Sequence, residues 1–252
     1  MRSKIVTVLA AAFSLGVVQA ASAADMPVKA PIVRAPVVMP FSWTGLYVGA
    51  NAGAAWIRDC FTYQSGSSLG LDDGCQSASS FIGGGQIGFN WQTGTWVFGI
   101  EGSGDWAKLE SNAVSPSFGG DTIYTKTDSL FLATVRAGYA WDRYLAYVKG
   151  GAAFVPSDYW RNFTGSSTTF ATASETRIGW TVGAGLEYAF LPSWPNWSAA
   201  VEYDYIGGGT RTITQTYTGG GCVGGVPCNE DIKQDVQMVT LRLNYRFNWM
   251  HP

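Results

Sequence analysis

The chain has 252 residues, of which 13% are charged, 14% are aromatic and 32 are glycine, with 16 Lys and Arg set against 18 Asp and Glu. Soluble domains carry roughly 25% charge, and a chain without a basic surplus cannot neutralise phosphates, which excludes nucleic acid as a partner. After Ala23 no run of about 18 apolar residues occurs, which excludes a membrane-spanning helix.

Residues 1–23 read as an export signal. Arg2 and Lys4 form a basic start, Ile5 to Val18 an apolar stretch too short to span a bilayer, and Ala21-Ser22-Ala23 a small-residue cleavage site. Its removal leaves 14 basic against 18 acidic residues, a net charge of about −4. Residues 24–42 contain Pro27, Pro31, Pro36 and Pro40, cannot pair as a central strand, and read as a periplasmic tether. One domain, residues 43–247, follows, and residues 248–252 form a short tail.

Period-two alternation predicts eight strands, at roughly 44–57, 79–91, 96–109, 127–141, 144–156, 174–190, 197–209 and 232–247. The last is the clearest: Val239, Leu241, Leu243, Tyr245 and Phe247 alternate with Arg242, Asn244 and Arg246. Connections alternate between short (Gln92 to Thr95, Asp142-Arg143, Leu191 to Asn196) and long, the long ones rich in Gly, Ser and Thr. An even count with short periplasmic turns and long outer loops predicts an all-β, eight-stranded antiparallel up-and-down transmembrane barrel in the outer membrane. Trp91 and Trp96, Trp141 and Tyr144, and Trp194 and Trp197 bracket the short turns, and Trp43, Tyr245 and Phe247 fall at the same level, forming an interfacial girdle.

A charge on the lipid face costs several kcal/mol at midplane, so the strand charges must face the lumen. They are five acids (Glu101, Asp105, Glu187, Glu202, Asp204) and four bases (Arg136, Lys149, Arg242, Arg246), a near balance that implies ion-paired filling. An eight-strand interior is about wide enough for side chains to fill, so the lumen reads as a polar core and not a channel.

Cys60 and Cys75 fall in the first long loop and Cys222 and Cys228 in the last; an exported chain with four cysteines favours disulfides, and proximity favours Cys60–Cys75 and Cys222–Cys228. A metal site is disfavoured, because the spacing is not C-x-x-C and the single histidine, His251, lies at the other end. The stretch from Thr210 to Thr218 alternates, so the last hairpin should continue beyond the membrane. Gly83, Gly85 and Gly88 match a dinucleotide fingerprint, but no helix follows and the period is two. Glu101 and Asp105, four residues apart on one strand, lie about 13 Å apart, too far for paired acid–base work. No catalytic set and no cofactor site emerges.

The stretches WTGLYVGANAG (Trp43 to Gly53), VRAGYAWDRYLAYVKGG (Val135 to Gly151) and LRLNYRF (Leu241 to Phe247) resemble the small porin-like outer-membrane proteins of alphaproteobacteria, the RopB type. The resemblance covers the mature chain. It implies an abundant, surface-exposed barrel important for envelope integrity, and partnership with outer-membrane lipids and the barrel-assembly machinery. That machinery would read Tyr245 and Phe247 as part of a C-terminal signal. Family members typically end at the aromatic residue, whereas five residues follow Phe247 here. Some relatives are described as hemin binders or adhesins. The leading expectation is a structural barrel without catalytic activity. A narrow porin for passive diffusion is the first alternative. The second is loop-mediated hemin or host-surface binding, with Tyr63, Tyr124, Tyr159 or Tyr217 as iron ligands.

Overall fold

The computed structural model describes residues 41–64, 70–116, 120–190, 193–217 and 228–247. The export signal, the Pro-rich segment to residue 40, Cys222 and the residues after Phe247 lie outside them. Eight antiparallel strands form one closed barrel in chain order: β1 (Gly45–Tyr63), β2 (Asp72–Thr93), β3 (Trp96–Val114), β4 (Asp121–Trp141), β5 (Tyr144–Phe163), β6 (Thr169–Ala189), β7 (Trp197–Tyr217) and β8 (Cys228–Phe247). Closure comes from β1 on β8, where Ala50 pairs with Leu243 and Trp56 with Gln237, so neither terminal strand is left as an open edge. At the turn end, Gly94 and Asp142 take positive φ (60° and 51°) in two-residue turns, the twist that a tight antiparallel hairpin requires.

The strands run 19 to 22 residues, about twice the 9–11 that a bilayer needs. Most of what the sequence pattern assigns to long outer loops is therefore strand. The joins at that end shrink to residues 64–71, 115–120, 164–168 and 218–227. The physical reason is an inversion of amphipathicity. Near the turns the outward face is apolar, with Val48, Ile87, Ile100, Val135, Val148, Val182 and Leu241 all exposed. Further along the same strands the outward face becomes polar (Arg58, Ser77, Lys108, Asp158, Lys233), while Ile57, Phe61, Leu109, Ile123, Val155, Ile232 and Val236 turn inward and are buried. The first pattern suits lipid outside; the second suits water outside.

Two aromatic rings frame the lipid-facing band. The lower one is a run of touching side chains: Trp96, Tyr139, Trp141, Tyr144 and Tyr188 follow one another at centroid distances of 4.9 to 6.3 Å. Trp197, Tyr245 and Phe247 continue it. Trp43 is at this level but is turned inward and fully buried, so it belongs to the lumen and not to the girdle. The upper ring is Trp56, Phe81, Trp106, Phe131, Trp180 and Tyr205. The ten residue steps from Trp96 to Trp106 rise ~33 Å along a strand, or ~25 Å once tilted, the height of an outer-membrane hydrocarbon layer. Register shifts lie just above the upper ring, between Trp106 and Leu109, Lys126 and Phe131, and Gly207 and Gly209. Bulges there re-aim the side chains as the surroundings change.

Cys60 and Cys75 form a disulfide between directly paired residues of β1 and β2, above the upper ring on the outward face. The side chains of Cys222 and Cys228 lie outside the described residues. A cross-link closing a 15-residue separation removes about 3 kcal/mol of loop entropy from the unfolded hairpin. Treatment with a thiol reductant is therefore expected to expose the β1–β2 extension to protease while leaving the lipid-band strands protected. Equal protease resistance before and after reduction would show that the ladder alone holds this hairpin.

Candidate functional site: the layered lumen

The inward positions stack as layers, and β8 shows the order: Arg246, Asn244 and Arg242, then Thr240, then Met238 and Val236, then Gln234, Ile232 and Glu230, all buried. At the turn end Trp43, Val97, Ala140, Leu145 and Ala189 pack as a floor. The Trp43 amide donates to Gln92 Oε1 at 2.7 Å, and the Arg246 guanidinium lies over the Trp43 ring at 4.6 Å.

Above the floor, all nine charged residues picked out from the strand pattern are buried in the lumen. Eight of them, four carboxylates and four cations, join in one network. Arg242 Nη2 lies 2.8 Å from Glu101 Oε1, and its Nη1 bonds Glu202. Lys149 Nζ sits 2.6 Å from Glu202, 3.2 Å from Asp204 and 3.6 Å from Glu101. Arg136 lies 3.6 Å from Glu187 and 3.9 Å from Glu101, and Arg246 is 3.8 Å from Glu187. Glu187 also accepts from Ser198 Oγ at 2.5 Å and from Asn244 Nδ2 at 3.0 Å. Asp105 stands apart, with no ion pair among the described residues.

Two halves of the barrel build this layer in the same way. Tyr47 of β1 reaches across Gly88 of β2 to donate to Glu101 of β3 at 2.6 Å; Tyr147 of β5 reaches across Gly185 of β6 to donate to Glu202 of β7 at 2.6 Å. A Cβ at either glycine would collide with the tyrosine lying over it. Arg136 lies between the two rings, 4.6 Å from Tyr47 and 4.9 Å from Tyr147, a paired cation–π contact.

The next layer corrects the expectation of a uniformly polar lumen. Ile57, Ile82, Leu109, Leu130, Leu132, Val155, Ile206, Val236 and Met238 pack across the interior as one apolar cluster. A second such layer, Phe61, Ile123, Tyr159, Ile213 and Ile232, lies nearer the loop end. Between and above them lie charges that strand counting missed. Arg177 Nη1 donates to the Ile232 carbonyl at 2.8 Å. Arg161 pairs with Asp73 at 2.8 Å and Glu230 at 2.6 Å, beneath the Tyr63 ring at 5.2 Å. Gln215 completes Glu230 at 2.5 Å. The signal for these residues was present: Asp59, Phe61 and Tyr63 keep alternate positions in β1, and Ser157, Tyr159 and Arg161 do so in β5. Of the tyrosines considered as iron ligands, Tyr63 and Tyr159 are buried in this interior and do not face the surface. Tyr124 stacks on Trp160 on the outer face, and the Tyr217 side chain lies outside the described residues.

Asp59, above the lipid band, is fully buried with no cation in ion-pair range among the described residues. Burial pushes its carboxyl up to about 6, opposed by the nearby Gln234 amide and the charge of Arg177. Burial likewise raises Glu230, against the pull of Arg161. A raised folded-state value means that the unfolded chain loses its proton first. The Asp59 contribution to stability therefore falls as pH rises from about 4 to about 6 and is level above that. Asp59→Asn should stabilise the barrel at pH 7.5 by up to about 3 kcal/mol and have little effect at pH 4. Urea midpoints at the two pH values read this directly, and an equal effect at both would refute it.

The outer membrane protein beta-barrel domain family matches residues 8–247. The 31 kDa outer-membrane immunogenic protein of Brucella melitensis biotype 1 is 32% identical, over 98% of this chain and all of the relative. The 22 kDa outer membrane protein of Rhizobium leguminosarum bv. viciae is 31% identical over 68% of this chain and 67% of that one. Among solved structures, the outer membrane protein OprG of Pseudomonas aeruginosa aligns with a TM-score of 0.49 at 10% identity, covering 81% of this chain and 97% of that one.

Proposed function

Since the chain belongs to the outer-membrane-protein β-barrel family and resides in the outer membrane, we propose that it is a closed, surface-exposed structural barrel that contributes to envelope integrity and neither conducts solutes nor catalyses a reaction. One observation carries this reading: the charge network is sealed on one side by the Trp43 floor and on the other by the Leu109–Leu130–Met238 layer. A balanced, ion-paired cluster between two apolar layers leaves its charges no solvent to exchange with, and an apolar constriction of this kind excludes water and ions by dewetting. The four network carboxylates, Glu101, Glu187, Glu202 and Asp204, are each engaged by a cation, Glu101 and Glu202 by a tyrosine hydroxyl as well, which leaves none of the four free to take a proton from a substrate.

On this reading residues 1–23 are removed on export, the short turns face the periplasm, and the strand extensions with their joins stand outside the cell. Tyr245 and Phe247, side by side at 5.1 Å on the outward face, form the C-terminal assembly signal. The test is single-channel recording from residues 24–252 refolded into a planar bilayer. Folded, heat-modifiable protein should be electrically silent. Reproducible conductance steps would overturn the closed-barrel reading in favour of a narrow pore.

A further inference from the structure

Five of the barrel's cations point outward, and all five sit just above the upper aromatic ring: Arg58, Lys108, Lys126, Arg211 and Lys233. Three are engaged, Lys126 with Asp128 at 2.7 Å, Arg211 with Glu175 at 3.9 Å and Lys233 with Asp235 at 3.9 Å. Arg58 and Lys108 have no ion pair among the described residues. Arg58 borders a cavity. It is a cleft of about 460 Å³ on the outer face of β7, β8, β1 and β2, lined by Trp56, Arg58, Ser77, Ser79, Tyr205 and Gln237.

The occupancy of Asp235 leaves the guanidinium free. Asp235 pairs with Arg58 across the β1–β8 ladder, yet its carboxylate accepts from the Tyr205 hydroxyl at 2.8 Å and faces Lys233 on its other oxygen. Gln237 is oriented by the Tyr203 hydroxyl at 3.1 Å. The cleft therefore presents the Arg58 guanidinium, two serine hydroxyls, one amide and a half-exposed indole beside the Asp235 carboxylate, which Lys233 and the Tyr205 hydroxyl engage, at the height where the hydrocarbon layer ends. Guanidinium matches phosphate oxygens bidentately, hydroxyls and amides match sugar hydroxyls, and an indole face accepts the apolar face of a pyranose. In an outer membrane, the groups at that height belong to the outer-leaflet glycolipid.

We infer that this cleft is a binding site for the phosphorylated saccharide headgroup of an outer-leaflet glycolipid, with Arg58 holding the phosphate and Trp56 the sugar. The site lies on the outer wall and is independent of whether the lumen conducts, so it stands or falls apart from the closed-barrel reading. Its volume is sufficient for a sugar phosphate and lies within the range of small-ligand sites. The neighbouring acyl chains would lie along Val239 and Leu241 below, continuing the lipid band.

The test folds the mature chain into phosphatidylcholine vesicles containing deep-rough lipopolysaccharide. The protein is then extracted in mild detergent, and the hexosamine and phosphate that elute with the barrel are measured. Wild type should retain lipopolysaccharide, and Arg58→Glu about tenfold less, the equivalent of one charge-assisted contact. Lys108→Glu, which reverses the other free outward cation away from the cleft, should retain as much as wild type. Dephosphorylated lipopolysaccharide should bind wild type as weakly as the intact form binds Arg58→Glu. Heat-modifiable mobility confirms folding of each variant, and Arg58→Gln replaces Arg58→Glu should the latter fail to fold. No retention by wild type, equal retention by Arg58→Glu, or equal loss in Arg58→Glu and Lys108→Glu would each overturn the site.

Discussion

Replacing Glu202 by alanine is expected to lower the unfolding free energy of the barrel by about 3–5 kcal/mol, the cost of leaving a buried charge without its partner. Glu202 receives Lys149 at 2.6 Å, Tyr147 at 2.6 Å and Arg242, so its loss strips two cations and a hydroxyl together. The remaining acceptors cannot compensate: Glu101 already takes Arg242 and Tyr47, and Asp204 sits 3.2 Å from the same lysine. Asp105→Ala is the matching control. It also removes a luminal carboxylate, but one with no ion pair, and should cost far less. Urea unfolding in lipid vesicles, followed by tryptophan fluorescence, measures both. Equal losses would mean that luminal position, and not the network, carries the energy.

The barrel was legible in the sequence because each strand places apolar side chains on one face and strand charges on the other, as at Leu241 and Arg242. The lumen was legible for a related reason. A charge within the band has only one tolerable side, so Glu101, Arg136 and Lys149 could be oriented from their position alone. The upper half was not. Beyond Trp56 the face that was apolar becomes polar and the inward face takes Ile57, Phe61 and Tyr63, so a search for an outward apolar stripe loses the strand where lipid gives way to water. Bulges such as Lys126/Phe131 hide it further by moving the inward set of β4 from odd to even positions. The apolar luminal layer went unseen for the same reason: Leu109 sits at an expected strand end, and Leu130 and Val236 lie within four residues of one, where the faces exchange character. Partners such as Arg161 and Asp73 are 88 positions apart and become neighbours only when the barrel closes. No local spacing encodes that contact.

The height of the lipid band has its own consequence for substitution on a single strand. Leu241, 67% exposed and midway between the Tyr245 ring and Gln237, faces the centre of the hydrocarbon. Leu241→Arg should cost about 2–4 kcal/mol, the price of a cation at midplane. Gln237→Arg, four residues nearer the loop end on the same face, should cost only about 0–1 kcal/mol, because it reaches the upper interface. Lys233, four residues further, is already a lysine on that face, where water solvates it. The same charge on one face of β8 is thus expensive, tolerable and native in turn, and the gradient is set by what surrounds the barrel rather than by the strand. Unfolding titrations of the two variants in vesicles therefore locate the edge of the membrane on the protein. A steep difference places it at the Trp56–Trp106–Tyr205 ring. Equal costs would put Gln237 inside the hydrocarbon and the edge above the Cys60–Cys75 bridge, which would carry the Arg58 cleft into the acyl chains.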